Sequence, residues 1–246
     1  MKVFVIKFSK QDLLKLSSDE RSLVLQLGHV CNELAFLNKL LLVVSNFERE
    51  GVERTVATAQ SMIVVRLYIG KVFEAWRMIG KQYFGSDLRG EFDHLLPEHV
   101  VQSLTKLKKT FGSKDLFAQL RNKFSFHYQS DHIDEVVDLL PDDYECRLIS
   151  GGTYASTLYA FSEDVVTYGM LNKTDESSPQ EAMEKVIGDL VSVSGVLIDY
   201  ASSLLGVILE SRLGVPLEHS AWEHHDVQVE ADLVSFKMPF FFKRGT

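Results

Sequence analysis

Three long segments of this chain carry apolar residues at steps of three and four, the spacing of one face of an α-helix. They cover about 18–46, 53–83 and 179–211. Members of the stripes are Leu23, Leu27, Leu34 and Leu41 in the first, Met62, Val65, Ile69 and Val72 in the second, and Val186, Leu190, Leu197 and Leu204 in the third. The sequence therefore predicts a mainly α protein, an antiparallel helical bundle.

Capping and turn residues indicate where these helices begin and end. Ser18 or Asp19 is predicted to cap the first helix, and Gly51 separates it from the second. Gly214 and Pro216 are predicted to terminate the third. A turn this short between the first two helices favours an antiparallel hairpin.

Shorter elements are predicted between and beside the long helices. Residues 3–8 predict a strand or an extended arm, 85–97 a loop, and 97–110, 114–127 and 131–140 three further helices. Residues 144–150 and 154–161 predict the strands of a small β-hairpin that turns at 151–152, and the tail from 227 predicts an extended segment. The β-structure is therefore expected to be a minor addition to the helices.

Composition and cysteine usage indicate a cytoplasmic protein. Cys31 and Cys146 are far apart and neither lies in a metal-ligand spacing, which suits a reducing compartment; a single disulfide between them is the alternative. The first ten residues lack a secretory signal pattern. Uninterrupted apolar runs such as 37–44 are broken by Asn38 and Lys39, so no membrane contact is expected.

Net charge excludes a general coating of nucleic acid but leaves one basic segment. The formal charge of −8 repels a polyanion at long range. Residues 104–123 nevertheless hold six basic side chains against Asp115 alone. The five lysines among them are Lys106, Lys108, Lys109, Lys114 and Lys123. We predict that these lysines contact the phosphates of a nucleic acid.

Arg121, Asn122 and His127 lie at the end of this basic segment, in the stretch RNKFSFH. An Arg followed directly by a polar residue, and by a His a few positions later, resembles the signature of HEPN domains. The resemblance covers this motif and its place late in a group of about four helices. It implies that residues 1–130 form a HEPN-like core, while 131–246 belong to the same globular unit.

The HEPN resemblance also implies a function and partners. Many catalytic members are metal-independent ribonucleases of toxin and defence systems, whose sites are commonly assembled at a dimer interface. It therefore implies RNA as substrate, or a non-catalytic relative that binds RNA or nucleotides. It also implies a homodimer, an antitoxin or other protein partner, and no cofactor. The alternative is a non-enzymatic helical module that acts through protein contacts, with its apolar tail as the interface.

The chemistry of the three motif residues agrees with RNA cleavage. A base must take the proton of the 2′-hydroxyl, and a cation must stabilise charge on the phosphate. Histidine side chains in general titrate near neutrality, which suits His127 to this role, and Arg121 presents a fork suited to phosphate oxygens. Asn122 would orient either group or bind the substrate.

Helix geometry limits how this motif can work. Six positions on an ideal helix turn through about 600°, so Arg121 and His127 emerge about 120° apart. They converge only if the helix bends near Phe126 or if a second subunit completes the site. A purely structural role is also consistent with the pattern, since Arg, Lys and His near a helix C-terminus favour the macrodipole and bind the last carbonyls.

A second polar cluster, EHSAWEHHDV at 218–227, contains weak candidates for metal ligands. If this stretch were helical, His219 and Glu223 would share a face, with His224 beside them. The HExxH order is absent, so a solvated polar turn around Trp222 is the alternative. Nucleotide-loop, nucleophile-elbow and zinc-finger patterns are absent as well, so no cofactor is expected.

Polar residues inside the apolar stripes need partners. Glu33 lies in the first long segment and Arg66 in the second. Pairing between helices is expected, and Glu33 with Arg66 or Arg121 is one such pair. Sequence alone does not decide among them.

Overall fold

Helices dominate the described part of this protein, as the sequence predicts. The structure is a computed structural model that describes residues 1–45, 50–112, 135–172, 174, 176–216, 222–228 and 238–241. Two short antiparallel strand pairs accompany the helices. The predicted mainly α class with a small hairpin is confirmed.

The three long helices lie within a few residues of their predicted bounds. In chain order, the N-terminal elements are β1 (Lys2–Val5), α1 (Lys10–Lys15), α2 (Ser18–Val44), α3 (Gly51–Ile79), a π-helical turn (Gly80–Phe84), α4 (Leu88–Phe92), a 3-10 turn (Asp93–Leu95) and α5 (Glu98–Gly112). Later elements are β2 (Ile149–Ser150), a 3-10 turn (Tyr154–Ser156), β3 (Thr157–Leu158), α6 (Ala160–Leu171), α7 (Pro179–Leu213) and β4 (Glu223–Asp226). The helix predicted at 114–127 lies outside the described residues, whereas 135–137 are helical.

The cap of α2 lies one residue before the predicted Ser18. The Glu20 amide donates to Ser17 Oγ at 3.2 Å, and the Ser17 amide donates to Glu20 Oε2 at 2.8 Å. This reciprocal pair is a capping box, which satisfies two backbone donors at once. At the C-terminal end of α7, Gly214 has φ 66° and terminates the helix, as predicted for this glycine.

Three segments differ from their predicted form. The predicted strand at 144–150 is strand only at Ile149–Ser150, because its partner β3 is itself two residues long and pairs with no more of it. The predicted loop at 85–97 contains α4 and a 3-10 turn. The predicted strand at 154–161 is strand only at Thr157–Leu158, since a 3-10 turn precedes it and α6 follows. Its aromatic and β-branched residues favour a strand locally, but Ala160 is fully buried where α6 begins, so packing outweighs propensity.

The chain divides into two compact units, of which the first contains α1 and α5. It comprises Met1–Phe36, Lys71–Ser113 and Ser192–Asp232. Here α2 is antiparallel to α3 and its π-helical continuation. Lys71 Nζ donates to Glu33 Oε1 at 2.6 Å, and Gln82 Nε2 donates to Gln26 Oε1 at 2.7 Å.

In the same unit α2 is also antiparallel to α7. Arg212 Nε donates to Glu20 Oε1 at 2.5 Å, and Cys31 Sγ lies 3.9 Å from the Ile198 carbonyl oxygen. Burial raises the pKa of the Cys31 thiol, so it is a packing residue. Strands β1 and β4 pair antiparallel, with Lys2 opposite Asp226 and Val5 opposite Glu223. The predicted N-terminal strand is therefore present at Lys2–Val5, and its partner comes from the polar cluster at 218–227, before the predicted tail.

The other unit comprises Leu37–Gly70, Lys114–Val191 and Leu233–Thr246. Its described residues include the hairpin of β2 and β3, in which Ile149 lies opposite Leu158. A small core joins this hairpin to α3 and α6. Its buried members are Val56, Ala59, Leu158 and Ala160, with Ile149 and Phe240 packed against them.

Among the described residues, three helices are long and apolar enough to cross a membrane by length and composition alone. They are Ser18–Val44, Gly51–Phe84 and Pro179–Leu213. In the most apolar window of Ser18–Val44, only 28% of the residues are buried within the protein. Counting uninterrupted apolar runs missed these windows, so the cytoplasmic location and the lack of membrane contact stay predictions.

Candidate functional site

The predicted catalytic motif lies outside the described residues. Arg121, Asn122 and His127 fall within 113–134, as do Lys114 and Lys123. Their roles, and the bend or second subunit that would bring Arg121 and His127 together, stay predictions. Three of the predicted phosphate-binding lysines lie in the described part of the chain.

These three lysines are on α5, and all are exposed. Lys106 Nζ lies 3.4 Å from Ser192 Oγ, a weak contact at the surface. Lys108 Nζ lies 5.3 Å from the centre of the Phe84 ring. The buried face of α5 is formed by Val100, Leu104 and Leu107, which leaves the ammonium groups accessible to solvent.

A second cationic side chain, which the sequence did not predict, lies beside the Phe84 ring. Arg89 Cζ lies 5.8 Å from the same ring centre as Lys108. Trp76 packs edge-on to Phe84 at 5.5 Å and stacks nearly parallel on Phe111 at 5.0 Å. The result is a half-buried aromatic cluster with two cations beside it, the combination found where proteins bind single-stranded nucleic acid.

The π-helical turn positions this cluster. The Gly85 amide donates to the Gly80 carbonyl at 3.1 Å, a bond that spans five residues. Tyr83 is fully buried, and its hydroxyl donates to Asp93 Oδ1 at 2.7 Å. Arg89 Nε donates to the other oxygen of Asp93 at 2.9 Å. Burial and the bond to Asp93 raise the pKa of Tyr83, so its hydroxyl keeps the proton that holds Asp93.

Tyr200 lies beside this network without joining it. Its side chain is fully buried, and its ring centre lies 6.1 Å from that of Phe84. The hydroxyl has no hydrogen-bond partner among the described residues. Burial, followed by the charge of Asp93, raises the pKa of Tyr200, so it is a neutral phenol.

Glu33 and Arg66, which the sequence suggested as a pair, bind other partners. Glu33 binds Lys71 at 2.6 Å and lies 3.6 Å from His29 Nε2. Arg66 binds Glu163 of α6 at 2.6 Å instead of Glu33. Helix α6 was not predicted, so this partner of Arg66 could not be named from sequence.

The candidate metal ligands lie in a strand, not in a helix. Glu223 and His224 are consecutive residues of β4, so their side chains point to opposite faces. Glu223 Oε2 is bound by Lys7 Nζ at 2.6 Å, and His224 packs edge-on to Phe4. His219 lies outside the described residues. Among the residues that the structure describes, no group of three His, Cys, Asp or Glu side chains is arranged to hold a metal.

One sequence signal could have revealed part of the aromatic cluster. Arg89 and Asp93 are four residues apart, the spacing of an ion pair on a helix, in a segment that was predicted as a loop. The contacts of Phe84 join residues distant in sequence, so no local pattern contains them.

Comparisons of the chain with protein-family models, with curated proteins and with solved structures found no match.

Proposed function

We propose that this protein is a metal-independent RNA endonuclease of the HEPN type that acts in a stress or defence setting. The observation that carries the proposal is the stretch RNKFSFH at 121–127, which overlaps the end of a basic segment in an acidic chain. Acting on RNA requires local attraction, because the overall charge of −8 opposes it. The exposure of all three described lysines of that segment supports the proposal.

In this mechanism His127 takes the proton from the 2′-hydroxyl of the RNA. The O2′ atom then attacks the adjacent phosphorus, and the bond from phosphorus to O5′ breaks. A proton returned by the imidazolium neutralises the leaving O5′. Arg121 stabilises the charge that develops on the phosphate oxygens, and Asn122 positions the reacting groups.

Phosphate contacts by Lys106, Lys108 and Lys109 would hold the RNA backbone while the motif reacts. Each ammonium group that neutralises a phosphate releases a counterion, so binding weakens as salt rises. The Phe84 cluster adds stacking beside Lys108 and Arg89. Single-stranded RNA is therefore the substrate form that this protein is proposed to prefer.

The proposal is tested by incubating mixed RNA with the protein, both with and without a chelator. We expect the wild type to cleave, and His127→Ala and Arg121→Ala to lose at least about 100-fold in rate. His99→Ala is the matched control, because His99 is an exposed histidine of α5 that has no role in this mechanism.

Three outcomes would contradict the proposal: an inactive wild type, equal cleavage by all four proteins, or cleavage abolished by the chelator. The alternative, a non-enzymatic module that acts through protein contacts, predicts the first of these.

A further inference from the structure

An apolar groove lies between α2 and α7, which we call the α2/α7 groove. It has a volume of about 750 Å³ and is also lined by residues from the segment before α2. Its apolar lining includes Phe8, Leu13, Val24, Leu205, Leu209 and Trp222. Val24 and Leu209 are buried and form the floor, whereas Phe8 is 41% exposed at the rim. A concave site of this size is in the range of about 300–1,000 Å³ that small-molecule sites occupy.

The absence of a side chain at Gly28 opens the groove. A Cβ atom built there would meet Leu205 Cδ1 at 3.5 Å, an ordinary van der Waals distance. A larger side chain at position 28 would enter the groove without striking backbone. The width of the site therefore depends on this glycine.

The polar side chains of the groove lie toward one end. Because α2 and α7 are antiparallel, with Cys31 near Ile198 and Gly28 near Leu205, Asn32 lies toward the opposite end from Val24 and Leu209. In this register the polar lining residues, His29, Asn32 and Ser202, lie near one another at the Asn32 end of the groove. The groove thus has a polar end and a long apolar end.

The lining contains no Lys, Arg, Asp or Glu among the residues that the structure describes. A charged ligand buried in the groove would therefore find no opposite charge to offset the loss of its hydration. At the polar end, the carboxylate of Glu33 lies 3.6 Å from His29 Nε2 and is paired with Lys71 at 2.6 Å, so it adds no net charge to the site. Asn32 supplies an uncharged donor and acceptor, and the Ser202 hydroxyl, which donates to the Asp199 carbonyl at 3.1 Å, supplies an acceptor.

We propose that the α2/α7 groove binds a neutral amphiphile, with its hydrocarbon chain along Val24 and Leu209 and an uncharged hydroxyl or ester headgroup at Asn32 and Ser202. Burial against the aliphatic floor removes the hydrocarbon chain from water, and each buried methylene strengthens binding. This site is independent of the proposed RNA cleavage. It differs from a protein-binding face in being a concave cavity, whereas a standard interface buries about 800 Å² on each partner.

The test uses N-phenyl-1-naphthylamine, a neutral fluorescent probe, followed by its displacement with monoolein or with oleate. We expect saturable binding to the wild type and displacement by monoolein at lower concentration than by oleate. Gly28→Leu should weaken probe binding by about tenfold or more, since its side chain occupies the space of at least two methylenes.

Gly195→Leu is the matched control, because it makes the same change in a helix where nothing lies within 4 Å of the new Cβ. It should bind the probe as the wild type does. The proposal is overturned by an absence of saturable binding, by equal binding to both variants, or by stronger displacement with oleate. It is also overturned if the wild type is a dimer by light scattering, binds no probe, and becomes a monomer on Gly28→Leu, since the groove is then an interface. RNA cleavage should be the same in Gly28→Leu and the wild type, which separates this site from the proposed ribonuclease.

Discussion

Glu20 is the most enclosed carboxylate among the described residues, and two groups donate hydrogen bonds to it. Its side chain is 7% exposed, its oxygens accept from Arg212 Nε and the Ser17 amide, and Arg212 also reaches Glu91. The Arg212 guanidinium lies 5.0 Å from the Phe92 ring centre. Burial raises the pKa of Glu20, but the hydrogen bonds from Arg212 and Ser17 outweigh it and lower the pKa below the ordinary value of 4.5.

Glu20→Gln should therefore destabilise the protein in a pH-dependent way. At pH 7 we expect a loss of about 1–2 kcal/mol in the free energy of unfolding, less than for a fully buried pair because Arg212 is partly exposed. The folded pKa is lowered, so the contribution of the carboxylate is complete above about 4.5 and is lost as the pH falls through the folded pKa.

Urea unfolding of both proteins at several pH values measures this difference. Glu223→Gln is the control, since Glu223 forms an exposed pair with Lys7 and should change stability little. A difference between wild type and Glu20→Gln that does not shrink in acid would contradict the assignment.

At the scale of elements, the long helices could be predicted from sequence and several short ones could not. The stripes of α2, α3 and α7 repeat over many turns, so their period is unambiguous. Helix α6 has only 12 residues, including the β-branched Val165 and Val166. Its formation depends on the burial of Ala160 and Met170. This burial is a result of tertiary packing, which the local sequence does not reveal.

The candidate site was predictable to a smaller extent. The three lysines on α5 are exposed as expected of phosphate-binding residues. Their neighbours Phe84 and Arg89 were not predicted, because a π-helical turn and α4 interrupt the regular pattern after Ile79. Contacts made across such irregular turns depend on tertiary packing.

Two glycines of the C-terminal helical region should respond oppositely to the same change. Gly214 has φ 66°, and its amide donates to the Glu210 carbonyl at 2.9 Å at the end of α7. Gly214→Ala should cost about 1 kcal/mol of stability, because a Cβ disfavours this backbone conformation. Gly195→Ala, in the interior of α7 with open space around it, should gain about 0.5–1 kcal/mol.

Thermal unfolding followed by circular dichroism compares the two variants with the wild type. If Gly214→Ala proved as stable as the wild type, position 214 would not require its left-handed conformation, and the described end of α7 would be wrong.

At the scale of the whole molecule, charge and symmetry limit how the proposed ribonuclease could act. Because the chain has a net charge of −8 and one basic segment, RNA should bind only at a surface that exposes this segment. On a straight helix Arg121 and His127 emerge about 120° apart. A homodimer that pairs Arg121 of one protomer with His127 of the other meets both conditions, since a two-fold axis would also bring two basic segments together.

The chemical form of the RNA ends tests the central claim most directly. Mass spectrometry of the products formed in chelator distinguishes attack by the 2′-hydroxyl from attack by water. If His127 activates the 2′-hydroxyl, the products carry a 2′,3′-cyclic phosphate and a 5′-hydroxyl, and an oligonucleotide with 2′-deoxyribose at the cleavage position stays intact. A 5′-phosphate with a 3′-hydroxyl, or cleavage of the 2′-deoxy substrate, would contradict the account.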